Sequence, residues 1–150
     1  MNKLKSIVVL LLPLAAGGLS AWLSGDKSMT YYHMPPLSPP EWLFPIVWTI
    51  LYAVIGVASY LYMKDTDFKL GDTARFFYYG LFLNFVWPII FFRFKMFTAA
   101  VIILILMIIL SVAATKGFFD KNKTAGWMMV PYIAWLLFAL YLNIGVAVLN

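Results

Sequence analysis

The chain has 150 residues, of which 64% are hydrophobic and 11% charged, with a mean hydropathy of +0.90; this is more apolar surface than a soluble core of that size can hide. There is no cysteine, which excludes disulfides, thiolate metal sites and thiol nucleophiles. The net charge of +5 is carried in short clusters between apolar runs, where basic residues act as topology signals, so no nucleic-acid partner is expected.

A bilayer is crossed by about 20 apolar residues in helical form. The first such run covers residues 6–22. Lys3 and Lys5 before it and the small residues Ala15, Ala16, Gly17 and Gly18 within it imitate a cleaved secretory signal. However, Gly17 and Ala21 have the spacing that lets membrane helices approach closely, and the run is read as a retained first helix. The loop 25–40 follows. Its Pro35, Pro36, Pro39 and Pro40 fix φ and favour an extended path, so ordering it over a cavity costs less entropy than ordering a flexible loop. It reads as a lid, with a stiff connector or a PxxP docking segment as the rival readings.

The second run, 42–63, has Pro45 in its first turns, where a missing N–H is tolerated. The third, 76–92, has Pro88 well inside, which predicts a bend or a freed carbonyl beside Trp87. The fourth and fifth cover 97–115 and 126–149. None contains Asp, Glu, Lys or Arg. Backbone groups cannot stay unpaired in lipid, so each run is predicted to be a helix, and the chain one all-α domain, a bundle of five transmembrane helices.

Lys3, Lys5, Lys64, Lys69, Arg75, Lys116, Lys121 and Lys123 fall on one side of this arrangement, and Lys27, Arg93 and Lys95 on the other. The bias places the first set and the amino terminus in the cytoplasm, and the carboxyl terminus and the loop 25–40 outside. A ligand would then enter from outside, at that loop.

At 100° per residue, Trp48, Tyr52, Ile55 and Ser59 share a stripe of the second helix, and Gly80, Asn84, Trp87 and Phe91 a stripe of the third. Tyr132, Trp135, Ala139, Leu142 and Asn143 do so on the fifth. Polar side chains in a bilayer face the bundle interior, so these stripes are expected to converge. Spacing alone leaves two outcomes open. Either they wall a pocket, or the asparagines bond across helices while the tryptophans fill space.

The passages PPLSPPEWLFPIVWTILY (35–52), LNFVWPIIFF (83–92) and PYIAWLLFALYLN (131–143) resemble the translocator protein family, which includes the tryptophan-rich sensory proteins of bacteria and the peripheral benzodiazepine receptor of mitochondria. The resemblance spans nearly the whole chain in the same order. It implies a five-helix bundle, often a homodimer, in a membrane such as a bacterial cell membrane. It also implies binding of porphyrins such as protoporphyrin IX and haem, and of benzodiazepine or isoquinoline drugs, in a pocket beneath the first loop. Carried over position by position, the implied ligand-binding residues are Pro39, Trp48, Tyr52, Asn84, Trp87, Phe91, Trp135, Ala139 and Leu142. Light-dependent porphyrin degradation, as implied for some members, would make Trp48 and Trp135 the catalytic residues. Met34 and Leu37 depart from the family's lysine and tryptophan in the loop, which removes a loop-tryptophan contact. A loose sterol-type pattern at Val57, Tyr60 and Lys64 is of a kind that arises by chance and supports no sterol role.

No Ser-His-Asp set, intramembrane carboxylate pair or metal-ligand cluster is present, and His33 is the single histidine. No cofactor is required on this reading, and porphyrin is a ligand held by stacking and burial instead of axial ligation. The alternative function is a small multidrug or ion-coupled transporter. Proton coupling usually needs an ionisable group inside the membrane, and the spans have none.

Overall fold

A computed structural model describes residues 3–27 and 32–150. Its elements are α1 (Lys3–Leu23), α2 (Leu43–Asp65), α3 (Asp72–Pro88), a π-helical turn (Ile89–Arg93), α4 (Phe97–Lys121) and α5 (Lys123–Leu149). All five helical spans are long and apolar enough to cross a membrane. Their outward faces carry exposed Ile7, Leu11, Ile46, Ile50, Phe82, Ile105, Ile109, Leu137 and Ile144. Such faces are stable against lipid and would be a liability in water. The protein is an integral membrane protein.

The helices outrun the charge-free stretches. Lys3 and Lys5 belong to α1, Lys64 and Asp65 to α2, Asp72 and Arg75 to α3, and Lys116, Asp120 and Lys121 to α4. A hydropathy window stops at the first charge, whereas a helix continues into the headgroup region, where charged ends stay hydrated. Between α4 and α5 only Asn122 is non-helical, and its Oδ1 accepts from the Ala125 amide at 3.1 Å as the N-cap of α5.

Pro88 frees a carbonyl, as expected, since it has no N–H to give to Asn84. The chain continues as a π turn in which the Phe94 amide reaches back five residues to the Ile89 carbonyl at 3.2 Å. A second proline, Pro13, is fully buried inside α1, where α1 meets α2. Here Gly56 lies so close that an added Cβ would collide with the Leu10 carbonyl.

Of the expected lid, residues 28–31 lie outside the described residues. The remainder is tied to α5. Asn150 Nδ2 donates to the His33 carbonyl at 3.0 Å, and its Oδ1 accepts from the His33 amide at 3.1 Å. The Tyr141 hydroxyl donates to the Pro36 carbonyl. Pro35 is buried against Gly145, where a Cβ would strike its ring. Tyr32 adds edge contacts with Phe91 and Phe97 at 6.1 and 5.3 Å between ring centres. Its partial burial pushes the phenol pKa up, and the nearby Asp26 adds to the shift.

Candidate functional site

Beneath this loop the helices enclose a cavity of about 660 Å³, walled by α1, α2, the end of α3 with its π turn, and α5. That volume falls in the range of small-molecule sites. Trp48 organises the walls. It stacks on Tyr52 (5.5 Å between centres, 27° between planes), meets Trp135 edge-on (6.2 Å, 85°) and leans on Trp87 (6.5 Å). Trp87 in turn stacks on Phe91 (5.1 Å, 27°), and Phe44 lies 5.9 Å from Trp135.

The polar atoms of the three stripes serve mainly to hold these rings. The Tyr52 hydroxyl donates to Asn84 Oδ1 at 2.7 Å, and Asn84 Nδ2 donates to the Tyr132 hydroxyl at 2.7 Å, which ties α2, α3 and α5 together under the cavity. Trp87 Nε1 donates to Asn143 Oδ1 at 3.0 Å, and Asn143 Nδ2 to the Phe97 carbonyl at 3.1 Å. Both networks are buried, where leaving a donor unpaired costs more than the bond contributes. One donor is unpaired: Trp135 Nε1 is buried and has no partner among the described residues.

Two charged side chains, Lys27 and Glu41, stand at the loop end of the cavity. Lys27 Nζ donates to the carbonyls of Ala21 (2.7 Å) and Gly25 (3.2 Å), while Arg93 Nη1 donates to that of Leu23 (3.0 Å). These cations satisfy the Ala21 and Leu23 carbonyls at the carboxyl end of α1 and complement its dipole. The sequence presents them as topology signals, and the fold uses them as caps.

Of the residues expected to bind ligand, Trp48, Tyr52, Trp87, Phe91, Trp135, Ala139 and Leu142 line one cavity. Asn84 is one layer back, behind Tyr52, and Pro39 is half-buried in the loop but does not line the cavity. So the two outcomes left open by spacing coexist: the asparagines bond across helices, and the aromatic rings wall a void. The resemblance puts the first helix beside the pocket but names none of its residues; the fold shows that the α1 wall is Gly17, Gly18 and Ala21. Gly17 and Ala21 have the spacing of a close helix approach, but in the fold Gly17 receives the Tyr52 ring; on α3, Gly80 faces Ser111 and Leu110 of α4, so both glycines are contacted within the chain. Small residues at helical spacing mark close approach of something, and only the fold shows that on α1 it is a ring and a cavity. The sequence reading missed Phe44, in the first turn of α2.

Residues 9–149 match the sequence model of the TspO/MBR family. The tryptophan-rich protein TspO of Archaeoglobus fulgidus is 31% identical, with 100% of this chain and 99% of that protein covered. The bovine translocator protein is 31% identical (89% and 82% covered). The tryptophan-rich sensory protein of Cereibacter sphaeroides is 30% identical (87% and 81%).

Proposed function

Because this chain belongs to the TspO/MBR family, we propose that it is a membrane receptor for porphyrins, protoporphyrin IX and haem among them, and for flat apolar drugs of the benzodiazepine and isoquinoline type. The observation that carries this reading is the cavity of about 660 Å³ with Trp48, Trp87 and Trp135 on its walls. A conjugated macrocycle gains apolar burial and stacking there, and no metal ligation is called for. The ordered networks through Asn84 and Asn143 support it further, because they fix the rings before a ligand arrives and reduce the cost of ordering them. His33, exposed in the loop, is not among the residues lining the cavity, and the proposal gives it no part in holding haem iron.

Light-dependent loss of the bound porphyrin is part of the proposal. Trp48 and Trp135 are the electron-rich indoles that would face an excited macrocycle. The basic-residue bias supports a cytoplasmic amino terminus in a bacterial cell membrane. A homodimer would form through faces other than Gly17 and Gly80. The test of the binding reading is quenching of tryptophan fluorescence by protoporphyrin IX in lipid nanodiscs, followed by illumination and product analysis. Saturable one-site quenching is expected. Quenching that rises linearly, as for partition into empty nanodiscs, would reject the reading.

A further inference from the structure

The expectation that ligand enters through the loop meets an obstacle in the fold. The loop is fastened to α5 at His33, Pro35 and Pro36, and Tyr32 packs on Phe91 and Phe97. The helix pair α1/α2 presents the opposite situation. The two helices touch at Leu10 and Gly56, with no room for a methyl group, and again where the Tyr52 ring covers Gly17. Toward the loop both helices become walls of the cavity, at Gly17, Gly18 and Ala21 and at Pro45, Trp48 and Thr49. Gly18 has nothing within 4 Å of a would-be Cβ.

The residues bordering this gap have two aspects. Gly18 on α1, Trp42 at the N-cap of α2, and Pro45 and Thr49 on α2 all line the cavity, yet all are exposed. Gly18 continues the outward stripe of Leu11, Ala15 and Trp22, and Thr49 continues that of Ile46, Ile50 and Ala53. Each of those residues is exposed and faces the surroundings of the bundle, which here are lipid. Even the Thr49 hydroxyl suits a lipid-facing rim, because it is turned onto the Pro45 carbonyl at 2.7 Å.

We propose that the gap between α1 and α2 is a lateral portal, through which an apolar ligand dissolved in the bilayer leaflet at the loop end reaches the cavity while the loop stays fastened. The inference rests on the binding reading above for what passes through, but the portal is a property of the walls and can be tested without a porphyrin. Apolar ligands concentrate in the bilayer before they meet the protein, so an opening to lipid samples a far higher ligand concentration than one to water. The rims also suit an apolar cargo: they carry Gly18 on α1, and the Trp42 ring and Pro45 at the start of α2.

The chain has no cysteine, so one introduced at the cavity wall, Ala139→Cys, is a unique reporter. The protein in nanodiscs is treated with a lipid-soluble pyrene maleimide or with a sulfonated, water-confined maleimide. Rates are normalised to Leu137→Cys on the outer face of α5, which cancels effects of lipid on thiol reactivity. The pyrene reagent is expected to label Ala139→Cys readily, and adding Gly18→Trp to slow it by about fivefold or more, since the bulky side chain fills the gap. Thr49→Phe, from the opposite rim, gives the same answer should Gly18→Trp fail to fold. Releasing the loop with Asn150→Ala and Tyr141→Phe leaves the pyrene rate within about twofold, as loss of a peripheral hydrogen bond does not widen the gap. Faster labelling by the sulfonated reagent, or a rate governed by loop release and indifferent to both rim variants, overturns the portal and restores entry at the loop. Should the portal pass while protoporphyrin IX fails to bind, the fault lies with the assigned ligand.

Discussion

The two ends of the bundle use the same residue types to opposite ends. At the end away from the loop, Tyr62 stacks on Phe118 at 4.7 Å between centres, Phe77 approaches Phe118 to 5.5 Å, and Gly117 and Gly126 receive Thr73 and the Phe119 ring. There a threonine side chain and an aromatic ring occupy the space beside these glycines. At the loop end, Trp48 meets Trp87 and Trp135 at their margins, and the three line a void. Composition therefore does not distinguish a core from a site in this chain. What sets the loop end apart is that Tyr52 and Trp87, besides stacking on Trp48 and Phe91, are each tied to a buried amide.

If the first end is packing and the second a site, substitutions should separate stability from binding. The largest effect is expected for Phe118→Ala, which removes a fully buried ring at the packed end. It should cost about 2–4 kcal/mol of stability, the cavity part of which persists in lipid, seen as a lowered midpoint in detergent melts. Next comes Ala139→Leu at the site. It should leave the midpoint nearly unchanged but weaken porphyrin binding by about 1–3 kcal/mol, or about 5- to 150-fold, where the walls cannot relax.

Trp135→Leu should weaken binding by about 0.5–1.5 kcal/mol, several-fold to about tenfold, through loss of a stacking plane. Fluorescence titration measures both. Comparing Trp135→Phe with wild type under illumination sharpens the contrast: phenylalanine keeps a plane but is harder to oxidise, so porphyrin loss should slow more than binding weakens. The smallest effect is expected for Tyr141→Phe. It removes one bond to the loop, worth about 0.5–1.5 kcal/mol locally, and should raise hydrogen exchange at the His33 amide without shifting the melt.

Much of this was legible in the sequence because lipid enforces simple rules. Charge-free runs of membrane length had to be helices, and a polar Asn84 or Asn143 within them had to face inward, which was enough to bring Trp48, Trp87 and Trp135 together. The helix ends were not legible, since nothing in a hydropathy pattern marks where a helix stops once its charged residues are hydrated. Nor was the division between Asn84 and the residues it supports. Lining a cavity and standing behind the lining require the same stripe, and the choice depends on side-chain reach across helices. The hold on the loop was hidden for a different reason: Asn150 and Tyr141 are more than a hundred residues from His33 and Pro36, and a lone Asn or Tyr carries no sign of a distant backbone partner. Gly17 was visible as a close approach, but its partner, a tyrosine ring at the edge of a cavity, was not.

The most direct test of the central claim is a paired measurement on Ala139→Leu and Phe118→Ala in the same nanodiscs, with melting midpoint and protoporphyrin IX affinity read from one preparation. The account predicts a crossed result: Ala139→Leu keeps its midpoint and loses affinity, whereas Phe118→Ala loses midpoint and, below its melt, keeps affinity. Affinity untouched by Ala139→Leu, with both variants differing from wild type only in stability, would mean that the loop-end rings are packing like those at the other end and that the ligand site lies elsewhere.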